Sequence, residues 1–121
     1  DAKARFAANA ACIGFGMQRL GATATTVEAC RGGKPNILVI CPPHIGEGIL
    51  DHPFIATMGR DSLEKNRGLA PCYKDLAERQ GCAFLGAEGI GEFNRLDCMH
   101  LTRRGHRQLA EALAALVPEL V

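Results

Sequence analysis

Asn36-Ile37-Leu38-Val39-Ile40-Cys41, ended by Pro42-Pro43, is a short continuous apolar run of the kind expected of a strand buried on both faces of a parallel sheet. It is the clearest strand in the chain. Upstream, Ile13, Met17, Leu20, Ala24 and Val27 recur at helical spacing, with Asn9 placed to cap that helix and Arg31-Gly32-Gly33-Lys34-Pro35 to stop it. Gly14, Gly16 and Gly21 lower its intrinsic propensity. Downstream, residues 44–59 mix glycines and prolines with isolated Ile45, Ile49, Leu50, Phe54, Ile55 and Met58, which reads as a long loop. Leu69, Cys72, Tyr73, Leu76 and Ala77 form a second helical stripe, begun or bent near Pro71 and stopped by Gln80-Gly81. Cys82-Ala83-Phe84-Leu85 is another short strand. After a loop over 87–99, Thr102 can cap a last helix whose stripe is His106, Leu109, Ala110, Leu113, Leu116 and Val117, ended by Pro118. The order αβαβα argues for a parallel α/β architecture.

A length of 121 residues and a hydrophobic fraction of 47% provide for one domain with a sizeable core and exclude a disordered or fibrous chain. The net charge of +1, with the two signs interleaved, leaves no electrostatic footprint for nucleic acid or an anionic membrane surface. No apolar run approaches the roughly 20 residues of a membrane span, and residues 1–6 lack the plan of a signal peptide. Cys12, Cys30, Cys41, Cys72, Cys82 and Cys98 are scattered without a compact spacing, which favours buried thiols over a disulfide framework and, weakly, a cytoplasmic location. Cys98-x-His100 with His106 is the nearest approach to a metal cluster and lacks a second close pair of ligands, so zinc is a weak alternative.

Two parallel strands with three apolar-faced helices leave both strands an unpaired edge and one helical layer without a partner. Further structure is expected to complete the sheet, from an upstream part of the same polypeptide or from a second chain.

The run Asp97-Cys98-Met99-His100-Leu101-Thr102-Arg103-Arg104-Gly105-His106-Arg107-Gln108-Leu109-Ala110-Glu111-Ala112-Leu113 resembles the last conserved block of the SGNH (GDSL-like) hydrolases. There D-x-x-H is followed by Leu-Thr, a Gly-His pair and an amphipathic helix. The stretches from Ile37 to Glu47 and from Asn66 to Tyr73 resemble the arylesterase-like and acyltransferase-like members, and Asp1 to Phe6 resembles the residues directly after the asparagine of the family's G-x-N-D block. The resemblance implies a three-layer α/β/α flavodoxin-like fold, with residues 1–121 representing only the C-terminal αβαβα portion of a single domain. It implies a serine-dependent esterase or acyltransferase that acts on a small-molecule ester through an acyl-enzyme, without cofactor or metal. Asp97 and His100 would be its acid and base. The G-D-S block with its serine, the block-II glycine and the block-III asparagine are not among these residues. They are expected on the N-terminal part of the domain or on a companion chain, and the isolated 121 residues are expected to be inactive. A homo-oligomer stays open.

The chemistry of the pair is proton transfer. An imidazole, which changes charge near neutral pH, can take a hydroxyl proton and later return it to a leaving group. A carboxylate three residues earlier can reach back to the other ring nitrogen and fix the tautomer. By themselves Asp97 would read as a turn cap and His100 as a loop histidine; the longer block reverses that preference. His106, on the apolar stripe, suggests a core or interface role, and His44 and His52 read as solvated loop residues. Ser62 is the only serine, and Gly59-Arg60-Asp61-Ser62-Leu63 looks like G-D-S-L with one residue inserted. A nucleophile in this fold is expected directly after the first strand, so Asp61 or Ser62 is read instead as a helix cap. Ile45, Phe54 and Ile55 are candidates to line the acyl pocket, with hydrophobic anchoring of the loop an equal explanation. Cys98 stands where the family more often has a small or aliphatic residue and is a candidate pocket thiol. The competing class is a non-enzymatic α/β interaction module that keeps D-x-x-H as structure.

Overall fold

The computed structural model describes residues 2–26 and 36–120. Asp1, Val27, Cys30 and the stop signal at 31–35 lie outside the described residues. A 3-10 turn, Ala4–Phe6, leads into helix α1, Ala10–Thr25. Asn9 caps α1 as its position predicts: its backbone is extended, and its Oδ1 accepts from the Cys12 N–H at 2.9 Å. Ile13 and Met17 pack on the core, but Leu20 is 65% exposed. The inward face is turned toward Gly14 and Gly21, both buried. A Cβ at Gly14 would stand 3.0 Å from Cys72 Cβ, and one at Gly21 would overlap the Gln80 side chain, which donates to the Gln18 carbonyl at 2.8 Å. The glycines that weaken α1 as a helix are therefore what let it approach its neighbour.

Strand β1, Leu38–Cys41, pairs in parallel with β2, Ala83–Gly86, in the register Leu38↔Ala83 to Cys41↔Gly86. Between them run a 3-10 turn, Glu47–Asp51, and helices α2 (Ile55–Met58), α3 (Ser62–Arg67) and α4 (Leu69–Gln80). The expected long loop over 44–59 is thus partly helical. Short helical turns bring Ile49 and Met58 inward to meet Cys98 in a second apolar cluster, and that burial offsets the entropy of ordering the segment. Leu69, Tyr73, Leu76 and Ala77 form the buried stripe of α4 against Val39 and Cys41. Pro71 sits at the third residue of α4, where no helical N–H bond is lost, and Gly81 ends the helix in the left-handed region at φ 67°.

Burial alternates along β1. Val39 and Cys41 are buried on the side of α1 and α4, whereas Leu38 and Ile40 on the other face are only half-buried, as is every residue of β2. The burial on both faces expected of β1 is realised on one face. Helix α5, Arg103–Leu116, continues into a 3-10 turn, Val117–Glu119, so Pro118 lies within that turn rather than simply ending the helix. Gly105 is the one buried residue of α5; Leu109, Leu113 and Leu116 are half-buried and Val117 is 43% exposed. His106 is exposed, not part of a core. Of the thiols, Cys41 and Cys98 are buried, Cys72 and Cys82 half-buried, and Cys12 exposed, contrary to a uniformly buried set. Burial, with Glu88 and Cys72 nearby, pushes the Cys41 thiol up to about 11, as suits a neutral core residue. No helix among the described residues is long and apolar enough to cross a membrane.

Neither Asp61 nor Ser62 caps α3 through its side chain. Asp61 holds the cap position but pairs with Lys65 at 2.9 Å, and the Ser62 hydroxyl is fully buried with no hydrogen-bond partner. Ser62→Ala is expected to leave stability unchanged or raise it by about 1 kcal/mol, read as a urea midpoint, because it removes a desolvated hydroxyl. A loss above about 1 kcal/mol would reveal a hydrogen bond that the hydroxyl makes.

Candidate active site

The loop between β2 and α5 is closed at its base by an antiparallel bridge between Phe93 and Leu101. Asn94 organises what lies inside it. Its N–H and Nδ2 both donate to the His100 carbonyl, at 2.8 and 2.9 Å, and its Oδ1 accepts from the N–H groups of Leu96 and Asp97 at 2.9 and 3.1 Å. The turn so formed brings Asp97 back on its successors. Asp97 Oδ1 accepts from the N–H groups of Met99 and His100, each at 2.9 Å, and Oδ2 lies 2.8 Å from His100 Nδ1.

The His100 backbone N–H, then its ring, then the Met99 N–H hold the Asp97 carboxyl well below the usual carboxylate range. An ionised Asp97 is acceptor-only, so Nδ1 carries the proton and Nε2 presents its lone pair. The two side chains differ in exposure, 17% for Asp97 and 78% for His100. The carboxylate is sheltered in the turn while the imidazole faces outward. That arrangement can accept a proton from an external hydroxyl and stabilise the resulting imidazolium.

Cys98 takes the left-handed backbone, φ 60°, that this turn requires. Its carbonyl accepts from the Gly46 N–H at 2.8 Å, and its side chain packs with Ile49 and Met58. Cys98 is 8% exposed and packs with Ile49 and Met58, so its thiol does not stand open to solvent. Behind it, the buried Asn66 accepts from the Ile45 N–H at 2.8 Å and donates Nδ2 to the Pro43 carbonyl at 3.3 Å. A continuous path therefore runs from α3 through the segment after β1 to Cys98 and the Asp97–His100 turn.

Thr102 caps α5, its Oγ1 accepting from the Gly105 N–H at 3.0 Å while its N–H donates to the Glu92 carbonyl at 2.9 Å. Gly105 lies so close to the Glu92 backbone that a Cβ there would overlap it. This close approach fixes the start of α5 directly after His100.

Asp97 and His100 are brought together; Ile45, Phe54 and Ile55 are not drawn into one cluster. Ile45 packs on the Ile49–Met58–Cys98 cluster, Ile55 is half-buried on α2, and Phe54 is 46% exposed with its ring 4.9 Å from that of His52. A groove of about 210 Å³ between α1 and α4 is lined by residues such as Phe15, Cys72 and Arg79, and neither Asp97 nor His100 is part of its lining. Among the described residues no group of three or more His, Cys, Asp and Glu side chains is placed to hold a metal ion. Sequence reading missed Asn94 and Asn66 as positioning residues. The Asn-x-x-Asp spacing was a signal for the first, since Asn readily accepts from the N–H groups two and three residues on. Asn66 had no local signal.

Solved structures share this fold. An aryl esterase of M. smegmatis superposes with a TM-score of 0.85 at 28% identity, over 100% of this chain and 57% of that one. A carbohydrate acetylesterase from Sinorhizobium meliloti gives 0.84 at 27% identity, over 100% and 57% of the two chains. The chain resembles the C-terminal part of SGNH-type arylesterases. A further carbohydrate acetylesterase family member from Sinorhizobium meliloti matches this arylesterase-like chain with a TM-score of 0.79 at 25% identity, over 93% and 53% of the two chains. The chain spans little more than half the length of these structures. Neither a family model nor a curated protein matches it.

Proposed function

We propose that the chain is the C-terminal αβαβα portion of a three-layer α/β/α SGNH domain and that the complete domain is a serine-dependent carboxylic ester hydrolase. The observation that carries this reading is the 2.8 Å contact between Asp97 Oδ2 and His100 Nδ1 beneath an outward-facing imidazole. In the proposed reaction His100 Nε2 takes the proton of a serine hydroxyl as its oxygen attacks the ester carbonyl. The ring then returns that proton to the departing alcohol, leaving an acyl-serine. A water, or in acyl transfer an alcohol, then attacks the acyl carbonyl as its proton passes to Nε2, and the ring returns that proton to the departing serine oxygen, which frees the acid or the new ester. Asp97 keeps Nδ1 protonated and stabilises the charged ring throughout.

The serine and the donors that stabilise the oxyanion come from the N-terminal part of the domain or from a companion chain. The half-covered faces of β1, β2 and α5 support such a complement, because apolar surface of that kind is stabilised when another layer covers it. Ile45, Phe54 and Ile55 are proposed as part of the acyl-binding surface once that layer is present. The same uncovered faces would suit the second reading, an interaction module without catalysis.

A serine-directed fluorophosphonate separates the two. Intact-mass analysis of the full natural polypeptide or complex is expected to show one adduct, mapping to a serine other than Ser62. No adduct on a folded sample would favour the interaction module. An adduct at Ser62 would overturn the assignment of the nucleophile.

A further inference from the structure

Gly46-Glu47-Gly48, in the segment after β1, meets the loop that carries Asp97 and His100 at three points. The Gly46 N–H donates to the Cys98 carbonyl at 2.8 Å. The Phe93 ring lies against Gly46 so closely that a Cβ there would overlap it. A Cβ at Gly48 would stand 3.1 Å from Cys98 Sγ. Both contacted residues control the turn: Phe93 closes the base of the loop by its bridge to Leu101, and Cys98 follows Asp97 directly, ahead of the Met99 and His100 N–H groups that Asp97 accepts.

The backbone does not require glycine at either position. Gly46 has φ −70° and ψ 143°, open to any residue, and Gly48 is not among the glycines with positive φ. Close approach of the loop is what the missing side chains permit. Cys98, by contrast, carries a Cβ at φ 60°, where a side chain is disfavoured. It is held there because Sγ is received over Gly48 beside Ile49 and Met58, and its carbonyl by the Gly46 N–H. Gly46 and Gly48 are themselves held by their neighbours. The Ile45 N–H donates to Asn66, Glu47 pairs with Arg67 at 2.8 Å, and Ile49 is fully buried.

We propose that Gly46 and Gly48 are positioning residues for the catalytic pair, forming a seat that fixes the Asp97–His100 turn through Phe93 and Cys98. Ile49 and Met58 are 0% and 5% exposed, so a close-packed cluster leaves Sγ little room to yield. A methyl group at Gly48 is then accommodated by moving Cys98, and Asp97 and Met99 move with it. Displacement of a few tenths of an ångström lengthens or bends the bond from Nδ1 to Asp97. The effect on turnover rests on the hydrolase reading; the effect on the His100 ring does not.

The test uses the full natural polypeptide or complex with Gly48→Ala, Cys98→Ala and the double variant. Gly48 is exposed, so the fold is expected to survive the change. With phenyl acetate, Gly48→Ala is expected to lower kcat about tenfold at unchanged KM. In ¹⁵N spectra of the neutral His100 ring, the Nδ1 and Nε2 resonances should draw together in Gly48→Ala as the second tautomer gains population. Removing Sγ should cancel both effects: the double variant should match Cys98→Ala in kcat within about twofold, and in its ring resonances. Parent kcat and parent resonances in Gly48→Ala would overturn the proposal, as would a rise in KM alone. An equal loss in the presence and absence of Sγ would overturn the contact with Cys98 as its route. A parent that hydrolyses no ester, with ring resonances that move in Gly48→Ala and return in the double variant, would count against the hydrolase reading while supporting the seat.

Discussion

His100→Ala in the complete enzyme is expected to lower kcat by about 10⁴-fold or more, with little change in thermal midpoint, because the ring is exposed and its loss removes the base without opening a core. Asp97→Asn should cost about as much activity by a different route. The amide oxygen can still accept from the Met99 and His100 N–H groups, but an amide NH₂ facing Nδ1 favours the wrong tautomer. Asp97→Ala would in addition leave both N–H groups without their acceptor, in a turn that already holds Cys98 at φ 60°. It should therefore lose stability as well as rate. Equal turnover in His100→Ala and parent would remove His100 from the mechanism.

Asp97 also predicts a pH dependence of stability. Its carboxyl is held below the ordinary value in the folded protein, so the unfolded chain binds the proton more readily. The stabilisation it supplies is fully present above about pH 4, the range of an unfolded Asp, and fades as pH falls toward the lower folded value. The gap in thermal midpoint between parent and Asp97→Asn should therefore hold steady above about pH 5 and narrow progressively from there to about pH 2. A gap that does not narrow over that interval would contradict the assignment of an ionised, hydrogen-bonded Asp97.

Asn66→Ala carries the largest expected loss of stability, about 2–4 kcal/mol, measured as a shift in denaturant midpoint. Asn66 is 5% exposed, and both ends of its amide are engaged, one by the Ile45 N–H and one by the Pro43 carbonyl. Truncation leaves those two backbone groups with no side-chain partner in a place where water does not readily reach. Because Gly46 next bonds to the Cys98 carbonyl, the loosened segment also stops bracing the Asp97–His100 turn. In the complete enzyme a fall in kcat is expected beside the fall in stability. Asn66→Asp preserves the acceptor for Ile45 but turns a carboxylate oxygen toward the Pro43 carbonyl, so it should recover little. A midpoint within about 0.5 kcal/mol of the parent would mean the amide is not a clamp.

Local chemistry was legible wherever the chain itself supplied both partners. Asn9, Thr102 and Gly81 mark helix ends because a cap acts over three or four residues. The stripe of α4 could be read from periodicity, since burial on one side of a helix repeats with its geometry, and β1 from its continuous apolar run, although which of its faces would be covered could not. The D-x-x-H spacing likewise placed Asp97 and His100 within one turn, short enough for the carboxylate to reach Nδ1.

Tertiary structure decided what no single segment contains. Gly14 and Gly21, rather than the apolar residue Leu20, set the seat of α1, because only contact with Cys72 and Gln80 makes the missing side chains useful. Cys98 turned inward because Ile49 and Met58, some forty or more residues away in sequence, form the cluster that receives it. Asn66 became a clamp through bonds to backbone groups more than twenty residues earlier. Contacts of that span depend on how independently readable pieces are packed, and periodicity within each piece is silent about the packing.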